Sequence, residues 1–253
     1  MTSAAMPVVA VLAGGLATRL HPITQTIPKA LVEVAGEPFV SHQLRLLACE
    51  GVTQVVLLVG HLGEQIEAFV GDGARYGLSV TYSFDGGVPL GTGGAIVKAL
   101  PKLGGEFMVL YGDSYLDVSY TDIVDAFRRV SAPALLTVFR NENRLAPSNV
   151  VFDGHSVVKY SKVDQAPDMD YIDFGISMLT PAIFDGRAPD RGFDLAEVFQ
   201  ELTLQGQLAG YEIHQRFFEI GSHAGLQSTE RYIRDKAAAR KGYAQNSPRV
   251  DLP

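Results

Sequence analysis

The chain has 253 residues, 47% of them hydrophobic and 19% charged, with a formal net charge of -7. That is enough for one large domain with a substantial core, and too acidic for a protein that grips nucleic acid indiscriminately through its phosphates. A single cysteine, Cys49, cannot form an internal disulfide, and with no Cys/His cluster a structural zinc site is not expected.

Pro7 to Ala13 is a continuously apolar run that stops at Gly14-Gly15, the pattern of a strand buried on both faces. Phe39 to Cys49 carries apolar residues at helical spacing and ends at Gly51, with Cys49 expected as a small buried hydrophobe. "TQVVLLVG" reads as a second buried strand, "HLGEQIEAFVG" as a short helix closed by Gly71, and "LSVTYSF" as an alternating strand. A helix is expected from Thr92, followed by a third buried strand in "EFMVLYGD". Strands alternating with helices imply crossover units and an α/β fold with a doubly wound, mostly parallel, Rossmann-like sheet.

After about Ala132 strands dominate: "PALLTVFR", "SNVVFDG", "HSVVKYSK" and "DYIDFGISML", with a hairpin turn at Asp153-Gly154. Helices are expected over Asp194 to Gln205 and His223 to about Lys241. The expected layout is one domain over residues 1–240, with a half of nucleotide-type topology at about 7–131, a β-rich half at about 132–232, and a frayed tail at 241–253. No stretch reaches the ~20 apolar residues of a membrane span. The opening MTSAAMPVVA lacks the basic region of a signal peptide, so the cytoplasm is the expected compartment.

In open α/β sheets ligands bind beyond the carboxyl ends of the strands. Gly14 and Gly15 stand there after the first strand, where absent side chains let backbone N–H groups approach an anion. Arg19 and Lys29 can reach back with charge, Arg19 in the fork geometry suited to phosphate oxygens. Neither a G-x-x-x-x-G-K-[ST] nor a G-x-G-x-x-G motif is present, which excludes the P-loop and the ordinary dinucleotide fingerprint. Asp113 follows the third buried strand at the same edge, where a hard oxygen can share Mg2+ with phosphate oxygens. Asp117 and Asp122 read as solvated or helix N-terminal acids. No histidine is assigned a catalytic role; His21 stands beside Arg19.

"LAGGLATRLHPITQTIPKALVEVAGEPFV" resembles the signature of the sugar-1-phosphate nucleotidylyltransferases, L-A-G-G-x-G-T-R-L followed by P-K. "PLGTGGAIVKAL", "LYGDSYL", "YSKVD", "YIDFGISML" and "FFEIGSHAGL" follow in that family's order, so the resemblance runs from about Val8 to Tyr232. It is greatest to small members such as muramate-1-phosphate uridylyltransferases and heptose-1-phosphate guanylyltransferases. The resemblance implies transfer of a nucleotidyl group from an NTP to a sugar 1-phosphate with release of pyrophosphate, in a monomer or homodimer that binds neither nucleic acid nor membrane. It implies that Leu12, Ala13, Gly14 and Gly15 cradle the nucleotide, that Arg19 holds the β/γ-phosphates, and that Lys29 bridges the α-phosphate and the sugar phosphate.

On the same grounds Gly91, Thr92 and Gly93 face the base and ribose with Asp85 near the base, and Asp113 is joined on Mg2+ (or Mn2+) by Glu219, where the family has aspartate. Asn149, Lys162, Asp173 and Gly175 would line the sugar pocket, with Asp194 to Glu197 as further candidates. A carboxylate at Asp85 suits the paired N1 and N2 donors of guanine, which favours GTP narrowly over UTP. Ala17 departs from the family's glycine, so the loop is expected to run slightly differently or to cost about 1 kcal/mol. Two alternatives stand beside the enzyme: a non-catalytic nucleotide-sugar sensor on the same fold, and a molybdopterin nucleotidyltransferase, which shares L-A-G-G and K-A-L.

Overall fold

The computed structural model describes residues 5–246. In chain order the first part contains Val8–Leu12 (β1), a small hairpin of Glu33–Val34 (β2) and Glu37–Pro38 (β3), and Phe39–Cys49 (α1). Gln54–Val59 (β4), Gly63–Val70 (α2), Ser79–Phe84 (β5), Gly91–Ala99 (α3), Phe107–Tyr111 (β6), Ser114–Tyr115 (β7) and Tyr120–Arg129 (α4) follow. The second part contains Ala134–Arg140 (β8), Val150–Phe152 (β9), Val157–Tyr160 (β10), Tyr171–Leu179 (β11), Leu195–Leu204 (α5), Leu208–Ile213 (β12), Phe218–Glu219 (β13) and His223–Asn246 (α6).

Nine strands form one sheet along the path β10-β9-β11-β6-β1-β4-β5, with β8 pairing β11 and β12. The β6-β1-β4-β5 block is wholly parallel, and β11 runs antiparallel to β6, β8 and β9. Strand pleating explains the two layers of helices. Val9 and Val11 of β1 join a core cluster with Leu44 of α1, Ile66 of α2 and Phe127 of α4, while Ala10 joins one with Ile96 of α3 and Phe199 of α5. The expected α/β, doubly wound, mostly parallel sheet is therefore the observed one, and its parallel strands all deliver their carboxyl ends to one edge.

Four expectations change. Helix α4 is not among the expected elements, although Ser119 caps it by accepting the Asp122 N–H at 3.2 Å and its buried Ile123, Val124 and Phe127 make a helical stripe. Cys49 is exposed: two residues on from buried Leu47, it lies about 200° further round α1, away from the sheet. Asp117 is not a solvated acid, because Tyr232 and Lys236 of α6 both donate to its Oδ2. Helix α6 continues to Asn246, past the expected start of the frayed tail, and the rest of that tail, 247–253, lies outside the described residues.

Candidate functional site

Two clefts open at the carboxyl edge of the parallel block. The narrower, of about 270 Å³, is walled by Leu12 to Leu16 running out of β1, by Asp85 after β5, and by Gly91 and Thr92 at the start of α3, with Lys29 and Asp113 beside them. The wider, of about 930 Å³, lies under the mixed strands and is walled by Arg19, Asn149, Lys162, Asp173, Gly175 and Glu219, among others. Tyr111 and Asp113 border both.

Asp113 owes its place to its neighbour. Gly112 N–H donates to Leu12 O at 2.9 Å, and a Cβ on Gly112 would lie 2.6 Å from that same oxygen, so only glycine lets β6 cross this close to β1. The chain then turns out, and Lys29 Nζ meets Asp113 Oδ2 at 2.8 Å in a pair about one-fifth exposed on the lysine side. Strand β13 brings Glu219 alongside by pairing it with Ser114, and Ile220 N–H donates to Asp113 O at 2.9 Å. Arg19 completes the group. A Cβ on Gly221 would lie 3.3 Å from Asp113 Oδ2, 3.5 Å from Arg19 Nη2 and 2.5 Å from Glu219 Oε2, so three charged side chains converge on one glycine. Arg19 pairs with no carboxylate among the described residues.

The divalent ion implied by the resemblance meets a partial donor set. Among the described residues no cluster of three acidic, histidine or cysteine side chains exists. Mg2+ does not require one, since it commonly takes one or two carboxylates plus substrate phosphates. Asp113 and Glu219 fit that requirement, although Glu219 is also tied to the turn before α6. Gly221 N–H donates to its Oε2, and Ser222 Oγ, which caps α6 by accepting Gly225 N–H at 3.0 Å, donates to its Oε1 at 2.9 Å.

Asp85 borders the narrow cleft, packed by its Oδ2 against Gly14 and Gly60, and the same oxygen accepts Leu90 N–H at 3.3 Å. Burial pushes its carboxyl up, against the Leu90 N–H and Lys98. Thr92 borders the cleft as expected, but Gly93 does not. Its N–H donates to Phe193 O at 3.0 Å, and a Cβ there would collide with the Phe193 ring. The glycines of "GTGG" thus serve the docking of residues 191–193 as much as any ligand.

Asn149 Oδ1 accepts the Asp173 N–H at 2.9 Å, which ties the two predicted sugar-pocket residues together. Asp173 in turn accepts Gly175 N–H at 2.9 Å and the Tyr160 hydroxyl at 3.2 Å, and burial pushes its carboxyl up. Glu197 closes the capping box of α5 with Asp194. Two residues of the wide cleft went unnoticed in the sequence. Tyr111, next to the Gly112-Asp113 pair, has a buried hydroxyl with no hydrogen-bond partner among the described residues; burial, then Asp173, Asp194 and Asp113, push it well up. Arg216 lies over the Phe218 ring, 5.3 Å from its centroid; no motif marks it.

A fold with these two clefts is that of the nucleotidyltransferases. HddC from Yersinia pseudotuberculosis, solved in complex with GMP-PN, matches at a TM-score of 0.72 with 24% identity, over 90% of this chain and all of that one. The family described as "Nucleotidyl transferase" matches residues 8–234, and the chain belongs to it. Among its relatives are a glucose-1-phosphate thymidylyltransferase of Streptomyces antibioticus, 37% identical over 69% of this chain, and an N-acetylmuramate alpha-1-phosphate uridylyltransferase of Neisseria meningitidis serogroup B, 30% identical over 87%. The chain spans half the length of the first and 95% of the second. No helix among the described residues is long and apolar enough to cross a membrane.

Proposed function

We propose that the chain transfers a nucleotidyl group from an NTP to a sugar 1-phosphate, with GTP used ahead of UTP. The observation that carries this is the meeting of the two clefts at Asp113, where Lys29 is already paired and Arg19 stands uncommitted. One cleft suits a nucleotide, the other a sugar, and cations stand where their phosphates would meet. A phosphate oxygen of the sugar attacks the α-phosphorus, the bond from that phosphorus to the bridging oxygen breaks, and pyrophosphate leaves with the electron pair. No protein nucleophile is needed, so the chain contributes positioning and charge.

In this reading Leu12 to Gly15 cradle the triphosphate, Arg19 holds its β/γ end, and Lys29 bridges the α-phosphate and the sugar phosphate. Asp113 with Glu219 would hold Mg2+ or Mn2+, which when bound supplies charge neutralisation for the triphosphate. Asp85, with Gly91 and Thr92, reads the base, while Asn149, Lys162, Asp173 and Gly175 receive the sugar 1-phosphate. Residues 1–240 act as one nucleotidyltransferase domain, as a monomer or homodimer. The test is pyrophosphate release from each NTP against a panel of sugar 1-phosphates. Release above background with one pair supports the proposal, and none with any pair overturns it.

A further inference from the structure

Thr92 borders the narrow cleft and Lys162 the wide one, yet both bind the same atom. Asp194 Oδ1 lies 3.1 Å from Thr92 Oγ1 and 3.2 Å from Lys162 Nζ. It also accepts Ala196 N–H at 2.9 Å as the N-cap of α5, and Thr92 Oγ1 accepts Leu195 N–H at 2.8 Å in return. The residue before is fastened to the same loop, since Phe193 N–H donates to Leu90 O at 3.0 Å and Phe193 O accepts from Gly93 N–H at 3.0 Å. Asp194 is thus rigidly mounted on the wall of one cleft while it holds the cation of the other. Lys162 has no other ion pair among the described residues.

An ion pair this exposed adds little to stability. Its value lies in direction: lysine is a long, flexible cation with three donors, so one can stay on Asp194 while the others take phosphate oxygens. We infer that Asp194 is a positioning residue that sets Lys162 for the sugar phosphate from an anchor on the nucleotide cleft, given the role of Lys162 proposed above. Through Thr92, whatever fills the narrow cleft then bears on the geometry offered in the wide one.

Asp194→Asn tests this cleanly, because asparagine caps helices as well as aspartate does and keeps an oxygen for Thr92, but loses the charge that holds Lys162. With the best NTP and sugar 1-phosphate of the panel, KM for the sugar 1-phosphate should rise about tenfold, a coupling typical of neighbouring charges, while KM for the NTP stays within about twofold. Asp194→Glu should recover part of the loss, and adding Asp194→Asn to Lys162→Met should change nothing more. An unchanged KM for the sugar 1-phosphate, an equal rise in both KM values, or multiplying effects in the double variant would each overturn the inference.

A second readout needs no turnover: acetylation of Lys162 by acetic anhydride, followed by mass spectrometry, should be several-fold faster in Asp194→Asn and in Thr92→Val. An unchanged rate overturns the tether. The two failures separate, because a panel without any active pair sinks the proposed function while Lys162 acetylation still reports on Asp194. A Lys162→Met variant with unaltered KM removes the role of Lys162, and the inference with it.

Discussion

The narrow cleft is walled by residues at the carboxyl ends of parallel strands, with glycine or alanine at 13–15, 30, 91, 95 and 112 beside the larger Leu12, Asp85 and Tyr111. The wide cleft instead draws charged side chains such as Lys162, Asp173, Arg216 and Glu219 from separate strands and loops of the mixed half. In the first, Leu12 to Gly15 follow one strand end and Asp85 another, and the fold places them by rule. In the second, Arg19 comes from the first loop, Asn149 from just before β9, Asp173 from β11, and Arg216 and Glu219 from the segment before α6. In the function proposed above, the first cleft takes the nucleotide, whose phosphates are the same whatever its base. The second takes the sugar 1-phosphate, whose hydroxyls differ between sugars and need side chains to read them.

The largest predicted effect falls where the clefts join. Asp113→Asn keeps the shape but removes the charge facing Lys29, and kcat should fall about 10³-fold with the fold intact. Excess EDTA should abolish turnover, and Mg2+ or Mn2+ should restore it. Near-normal kcat for the variant, or full activity in EDTA, would place the chemistry away from the junction.

Much of this difference was legible before any coordinates. The Gly14-Gly15 turn and Asp113 each follow a buried strand, and Lys29 stands in the P-K pair after the first loop, so local sequence is enough to bring them to the carboxyl edge. The Lys162–Asp194 pair spans 32 residues and the Lys29–Asp113 pair 84, and no periodicity reports contacts at such separations. Gly93 is a similar case, since its neighbour Phe193 stands a hundred residues on. Helix α4 is different: its Ser119 cap and apolar stripe are local features that the sequence carries in full.

Gly93 gives the next largest effect, and it sharpens the comparison because it is a glycine next to the narrow cleft that does not border it. Gly93→Ala drives a methyl into the Phe193 ring. Overpacking of this kind costs about 1–3 kcal/mol, against ~1 kcal/mol regained in helix propensity. The net cost is therefore at most about 2 kcal/mol, so thermal unfolding should drop by up to roughly 8 °C, with kcat at low temperature within about threefold. A large loss of kcat at unchanged stability would put Gly93 back in the cleft.

Base choice should be smaller, since it depends on one carboxylate. If Asp85 accepts from guanine N1 and N2, ITP, lacking the N2 amine, should show kcat/KM about tenfold below GTP. The pH dependence has a definite sign. Burial raises the Asp85 carboxyl, and the protonated form cannot accept both donors, so the preference for GTP over ITP should fade as pH drops through that raised value. Equal kcat/KM for GTP and ITP at neutral pH, or a clear preference for UTP, would remove Asp85 as a guanine reader.

The smallest effect tests the glycine-rich loop after β1. Ala17 sits at φ 50°, ψ 42°, in the left-handed region where a Cβ costs about 1–2 kcal/mol. It is held there because its carbonyl accepts both Leu20 N–H at 3.1 Å and Thr24 Oγ1 at 2.8 Å. The resemblance puts glycine at this position, and the backbone has kept a glycine-like conformation around an alanine. Ala17→Gly should relieve the strain, but it also loosens the unfolded chain by about 0.4–1 kcal/mol, so the net gain should be only ~0.5–1 kcal/mol. Denaturant unfolding would read that as a higher midpoint with an unchanged slope. Stability lost on Ala17→Gly would mean that the methyl group makes a contact worth more than its strain.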